Sequence, residues 1–212
     1  MYQFRVLFVK SCLFLSTTVL VSAVFARDVI PQGNYPWCWA ASAGMALEYQ
    51  TGKRIELCKV AAYVKGLEPR DCCSTWGAKK ICNTTGSPEN ALKSLGMWGK
   101  GAYKINNIEG VLTPSITKKL KEAIQSKRPV LASLRRYDLF RKETTWHAVE
   151  LRGINFVGEQ TKSITFADSA RVEVVRVGEK DLINLMTYGV LETLYVGTQF
   201  SGSQHILNRV QD

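Results

Sequence analysis

Trp37-Cys38-Trp39-Ala40-Ala41-Ser42-Ala43-Gly44-Met45-Ala46-Leu47-Glu48-Tyr49-Gln50, followed by Thr51-Gly52, is the stretch on which the reading of the whole chain turns. Alanine, methionine and leucine are strong helix formers, and a glycine just past the last turn is a usual stop. The run therefore predicts a helix over 37–50 with a cysteine at its N-terminal end. Ile55 to Lys65 predicts a second helix ended by Gly66, and Ser87-Pro88 opens a short one closed by Gly96. The clearest amphipathic pattern starts at Thr113-Pro114. There Ile116, Leu120 and Ile124 recur at intervals of four, Lys118, Lys119 and Lys121 occupy other faces, and Pro129 stops the helix. The lysines read as a solvated face.

After Pro129 the period changes. Val130 to Leu134, Trp146 to Ile154, Ser163 to Ala167, Val172 to Val177 and Leu191 to Val196 are rich in branched residues and read as strands, with a short helix expected at Glu179 to Met186. Helices first and strands second predict an α+β protein, with a helical lobe over about 27–128 packed on an antiparallel sheet over about 129–197. The polar run 198–212 has little pattern and is expected to be a loosely held tail.

The 212 residues suit one medium domain or two small lobes sharing a cleft, and 46% hydrophobic with 22% charged residues excludes a disordered, collagenous or polytopic membrane chain. The charge of +10 favours contact with anionic surfaces, but no recognition motif accompanies it, so no nucleic-acid partner is expected.

Residues 1–26 carry Arg5 and Lys10, then a mostly apolar stretch without an acid from Ser11 to Val24, and end at Ala26. This pattern predicts a cleaved secretory signal and a secreted or periplasmic mature chain, 27–212, with no stable membrane insertion. Cleavage leaves 26 basic against 18 acidic residues, a charge of +8, and removes Cys12, so five cysteines remain. An odd number leaves one thiol unpaired. Cys58, Cys72, Cys73 and Cys82 cluster in a loop-rich stretch suited to staples, while Cys38 stands apart in the helical run and is the expected free thiol. A bridge between the neighbours Cys72 and Cys73 is geometrically poor, which leaves 58–72 with 73–82, or 58–73 with 72–82. A four-cysteine zinc site would need a CxxC knuckle that the sequence lacks, and no metal or cofactor is expected.

A free thiol at a helix N-terminus is favoured as thiolate by the unpaired amides and the positive end of the helix dipole, which makes Cys38 a candidate nucleophile. The mature chain offers two histidines as the base, His147 at the start of a strand and His205 in the tail, and His147 is the better placed. Taken alone, a histidine among apolar neighbours is a core residue; opposite a free thiol it is a general base. Asp168 ends the strand expected to pair with the one carrying His147, where it can accept from the far ring nitrogen. Gln32, six residues before the thiol, can supply an oxyanion donor beside the Cys38 amide. Trp39 and Trp146 flank nucleophile and base in sequence, and either packing or ligand stacking accounts for them.

Gln32, five intervening residues and then Cys38-Trp39-Ala40, with His147 and Asp168 downstream in that order, resembles the papain-like cysteine peptidases. The layout is most similar to their compact bacterial branch, which includes staphopain-like enzymes, plant-pathogen effector proteases and peptidases related to those that trim bacteriocin leaders. The resemblance implies Cys38 as nucleophile, His147 as general base and acid, Asp168 as the orienting residue and Gln32 with the Cys38 amide as the oxyanion hole. Two features depart from plant and lysosomal relatives. Tyr35-Pro36-Trp37 replaces their Cys-Gly-Ser lead, and Asp168 stands where they commonly carry Asn. Five residues between Ala26 and Gln32 leave no room for an inhibitory prosegment, so control is expected from export, redox state or a separate inhibitor protein. The implied function is an exported peptidase acting on proteins or peptides, a virulence or competition factor. The alternatives are an amidase, deamidase or acyltransferase on the same scaffold, or a noncatalytic, disulfide-stapled binding protein.

Overall fold

The structure is a computed structural model and describes residues 28–74, 78–108, 112–138, 142–157, 160–178 and 189–211. The signal segment expected at 1–26 and the helix expected at Glu179–Met186 lie outside the described residues. Six helices and six strands follow in chain order: α1 (Cys38–Thr51), α2 (Leu57–Val64), α3 (Pro69–Cys72), α4 (Pro88–Ser94), β1 (Tyr103–Ile105), α5 (Pro114–Gln125), β2 (Val130–Asp138), β3 (Glu143–Val157), β4 (Gln160–Asp168), β5 (Glu173–Gly178), β6 (Val190–Val196) and α6 (Gln204–Val210).

The expected α+β class is what the structure shows. α1 is buried on every side from Trp39 to Leu47, and its alanines, Ser42 and Gly44 let neighbours approach closely, as befits a central helix. Gly52 closes it with φ 71°, its N–H bonded to the Glu48 carbonyl. α5 starts where Thr113 Oγ1 accepts from the Ile116 amide at 3.3 Å and Pro114 fills the first turn, and it buries Thr117, Leu120 and Ala123. The strands form one sheet in the order β1-β6-β2-β3-β4-β5, with every neighbouring pair antiparallel.

Two hydrophobic clusters lie on this framework. The first joins α1, α2, α4 and α6 to Leu131 and Ala148 of the sheet. The second lies between α5 and the sheet and includes Leu120, Val130, Val149, Phe166 and Leu194. α5 thus packs with the strands, and the clusters divide the chain differently from a helical front ending at 128. β1 and α3, of three and four residues, are too short to leave a periodic signal.

The four stapling cysteines are paired Cys58–Cys73 and Cys72–Cys82, so the alternative of 58–72 with 73–82 is set aside. Cys58–Cys73 ties the end of α3 to α2, and Cys72–Cys82 ties α3 to the loop after it. No helix among the described residues is long and apolar enough to cross a membrane.

The tail differs from the loosely held segment expected over 198–212. Its residues 204–210 form α6, with Leu207 and Val210 in the first cluster. The Val210 carbonyl accepts from the Glu56 amide at 2.9 Å, Ile55 bridges Gln211, and Lys59 Nζ donates to the Gln211 carbonyl at 2.8 Å. Two apolar residues three apart in a polar run are a faint sequence signal, and the anchoring partners lie some 150 positions upstream. Truncation after Ser203 exposes the surface that Leu207 and Val210 cover. It is expected to lower stability by about 3 kcal/mol or more, at about 1.5–3 kcal/mol per buried aliphatic side chain, read as a lower urea midpoint.

Candidate active site

The site lies where β4 ends. The β3–β4 ladder runs as far as Glu150↔Ala167, and Asp168 is the last residue of β4. Beyond it the edge of β3 is unpaired on that side among the described residues, so the backbone there is open to another element. The N-terminus of α1 fills the gap. The free thiol of Cys38, its first residue, bonds the Ala148 amide, the Trp39 amide and the His147 side chain.

His147 stands between two partners. Its Nε2 is 2.7 Å from Asp168 Oδ1, which leaves Nδ1 for the sulfur of Cys38. Asp168 is almost fully buried and also accepts from the Ala170 amide at 2.8 Å, with the Arg171 guanidinium 3.9 Å from its other oxygen. The structure therefore brings Cys38, His147 and Asp168 into one hydrogen-bonded chain. His205 is on α6 and takes no part in it.

The electrostatics follow from that chain. Burial disfavours the Cys38 thiolate, but the bond to His147, its charge, and the Ala148 and Trp39 amides outweigh burial and hold the thiol below its ordinary range. Burial likewise opposes the imidazolium, yet Asp168 and Cys38 push His147 up to about 9. For Asp168, burial acts upward, and the His147 bond with the Ala170 and Arg171 amides brings the carboxyl below its usual value. The two ring partners thus favour a thiolate–imidazolium pair backed by a carboxylate.

Gln32 sits in a turn that docks on the residue after Asp168. Its amide N–H donates to the Ser169 carbonyl at 3.1 Å, and its side-chain Oε1 accepts from Ser169 Oγ at 2.9 Å. Its Nε2 donates to the Tyr35 carbonyl at 3.1 Å, and among the described residues the second Nε2 hydrogen has no partner. Among the described residues Gln32 bonds its own turn and Ser169, not Cys38. Ser169 carries no signal in the sequence beyond its place in a turn, because its partner is 137 positions away.

The stapled loop braces the nucleophile from the other side. Trp37 Nε1 donates to the Cys82 carbonyl at 3.0 Å, and the Tyr35 ring stacks on Trp37 with centroids 4.3 Å apart. Tyr35 Oη accepts from the Ala78 amide, and Lys65 Nζ binds Thr84 Oγ1 and the Thr85 carbonyl while lying 5.2 Å from the Trp39 ring centre. Gly86 lies against that indole so closely that a Cβ there would be 2.4 Å from the ring. Glu56, Cys58 and Cys73 converge, but both sulfurs are spent in the bridge between them and offer no thiolate to a metal.

Comparison with known proteins adds a family. The model of the Peptidase_C39 like family matches residues 26–184, which hold Gln32, Cys38, His147 and Asp168. No curated protein matches the chain.

The Cys38–His147 pair makes a chemical prediction that needs no substrate. Iodoacetamide should label Cys38 at pH 6 at least about tenfold faster than an ordinary thiol, since only the thiolate reacts. His147→Ala should return the rate to that of an ordinary thiol. Because the paired state requires a protonated imidazole, the imidazolium resonance of His147 should be present at neutral pH and lost as pH rises through about 9, while the Cys38 thiolate stays. Mass spectrometry for the labelling and NMR of the imidazole across pH provide the readouts.

Proposed function

The chain belongs to the Peptidase_C39 like family, within the papain-like cysteine peptidases, and from that premise we propose that it is an exported enzyme that cuts peptide bonds with Cys38, His147, Asp168 and Gln32. The observation that carries this reading is the single imidazole hydrogen-bonded to a free thiol on one side and to a buried carboxylate on the other. Export is supported by the basic-then-apolar pattern of residues 1–26 and by two disulfides. On this reading the chain takes a protein or peptide substrate and is closest in layout to the compact bacterial branch, with a role in virulence or competition.

The Cys38 thiolate attacks the scissile carbonyl and forms a C–S bond, and the carbonyl electrons move to oxygen. The oxyanion is met by the Cys38 amide and by the Nε2 hydrogen of Gln32 that Tyr35 does not use. Collapse breaks the C–N bond, and the leaving nitrogen takes the proton from Nδ1 of imidazolium His147. Neutral His147 then takes a proton from water, the hydroxide attacks the thioester, and the C–S bond breaks to regenerate the thiolate. Asp168 holds the ring in one orientation and stabilises its charged form through both half-reactions.

Incubation of the purified protein under mild reductant with a proteome-derived peptide mixture is expected to produce new termini, and Cys38→Ala is expected to produce none. Equal cleavage by both removes Cys38 from the mechanism. Mass changes of about one unit without new termini favour a deamidase. Ser169→Ala should lower kcat by about tenfold with a smaller change in KM, because loss of the bond to Gln32 Oε1 leaves the oxyanion donor free to turn away. Steady-state kinetics on a peptide cut by the parent protein checks this.

A further inference from the structure

Glu150 is 5% exposed and takes no part in the mechanism above, although it stands on β3 close after His147. Its Oε2 accepts from Nε of Arg152 at 3.0 Å, and the Arg152 side chain is nearly as well buried. Taking two charges out of water is costly, and apolar residues of similar volume in their place often leave a protein equally or more stable. Core stability therefore does not account for the pair.

The backbone aims Arg152. β3 shifts register against β4 between Leu151 and Gly153, so Arg152 is the extra residue of a β-bulge, a device that redirects a side chain. Its guanidinium offers several donors in a planar fork, and so can hold two partners at once. Nε serves Glu150. Nη2 lies 3.5 Å from Met45 Sδ of α1 and donates to the Asp28 carbonyl at 3.4 Å. One side chain thus joins the strand of the catalytic base, the helix of the nucleophile and the segment that leads to Gln32.

That segment has few other holds. None of residues 28–36 is buried, and residues 28–31 form one wall of an open pocket of about 510 Å³ whose other wall is Glu48 with residues 52–55. Ile30 leans on α1 at Gly44, and the Gln32 amide donates to the Ser169 carbonyl at 3.1 Å. With so little burial, the course of the segment depends on its polar contacts at Asp28 and Gln32. The link between them is short, and Pro31 within it has a fixed φ, so a shift at Asp28 is passed on to Gln32.

We propose that Glu150 and Arg152 are positioning residues for the reaction: they clamp the segment at Asp28 and so keep Gln32 docked on Ser169, with its free Nε2 hydrogen directed at the oxyanion. The inference rests on the peptidase reading above, in which Gln32 is the oxyanion donor. Glu150 fixes the guanidinium through Nε, and Nη2 holds the carbonyl. Glu150 also pairs across the ladder with Ala167, the residue before Asp168, so clamp, carboxylate and base share one frame. A donor to a developing charge acts only when held within about 0.5 Å of its place, which a half-exposed segment does not achieve without an anchor.

The test compares the parent protein with the double variant Glu150→Leu/Arg152→Met, which removes both charges at similar volume, and with Arg152→Lys. The double variant is expected to match or exceed the parent's urea midpoint, as buried pairs replaced by apolar residues commonly do. Its Gln32 amide should exchange hydrogen at least about tenfold faster, because the bond to Ser169 opens more often. On a peptide cut by the parent protein its kcat should fall about tenfold with little change in KM, while iodoacetamide labels Cys38 at pH 6 as fast as in the parent. Arg152→Lys, with one compact ammonium for both partners, should shift exchange and kcat in the same direction by a smaller factor. A folded double variant with parental Gln32 exchange and kcat overturns the inference and leaves the peptidase reading standing, as does a fall in Cys38 labelling along with kcat, which marks a general loss of structure. Should the double variant fail to fold, parental values of both readouts in Arg152→Lys overturn it equally. If the parent protein cuts no peptide the peptidase reading falls by itself, and exchange at Gln32 still decides whether the pair holds the segment.

Discussion

The hydrogen bond between Cys38 on a helix and His147 on a strand is the contact around which the site is organised. The β3–β4 ladder ends at Glu150↔Ala167 and β4 ends on the carboxylate of Asp168, so among the described residues no strand covers that edge of β3 at His147 and Ala148, and the thiol at the start of α1 bonds both residues. Burial works against charge on all three groups. The charge on each neighbour offsets that burial, helped at Cys38 by the Ala148 and Trp39 amides and at Asp168 by the Ala170 and Arg171 amides, so thiolate, imidazolium and carboxylate support one another.

The surrounding structure holds the two sides of that bond still. On the strand side, Ser169 and Asp168 are consecutive, so one turn fixes both the carboxylate behind His147 and the amide of Gln32. On the helix side, the stapled loop meets Trp37 through the Cys82 carbonyl and packs Gly86 on Trp39. The chain therefore carries oxidised sulfur and free thiol within one small protein without conflict. The four stapling cysteines are committed to each other, and the sulfur of Cys38 faces an imidazole.

Legibility in the sequence tracked the range of the physics involved. Helix α1 was readable from Ala, Met, Leu and a closing Gly, and α5 from its fourfold apolar spacing and Thr-Pro start, because propensity and capping act over one or two turns. The pairing of the strands bearing His147 and Asp168 was readable because they are joined by a short connection. α3 and β1 were too brief to show a period. The tail reads as loose in sequence because Leu207 and Val210 owe their burial to a cluster that packs α6 on α2, far upstream. Ser169 was invisible as a partner of Gln32, and Trp39 and Trp146 were indistinguishable until one proved buried and the other exposed.

Residue order alone determines the α+β class, the odd thiol at a helix start, and the candidate set Gln32, Cys38, His147 and Asp168, since each depends on local propensity, parity of cysteine count or motif spacing. Tertiary contacts decide which of two disulfide pairings forms, which hydrogen of Gln32 is spoken for, which tryptophan faces water, and that the three reactive side chains touch. These are distances between residues up to 137 positions apart. Such distances are set by strand register and helix docking, which no local window of sequence encodes.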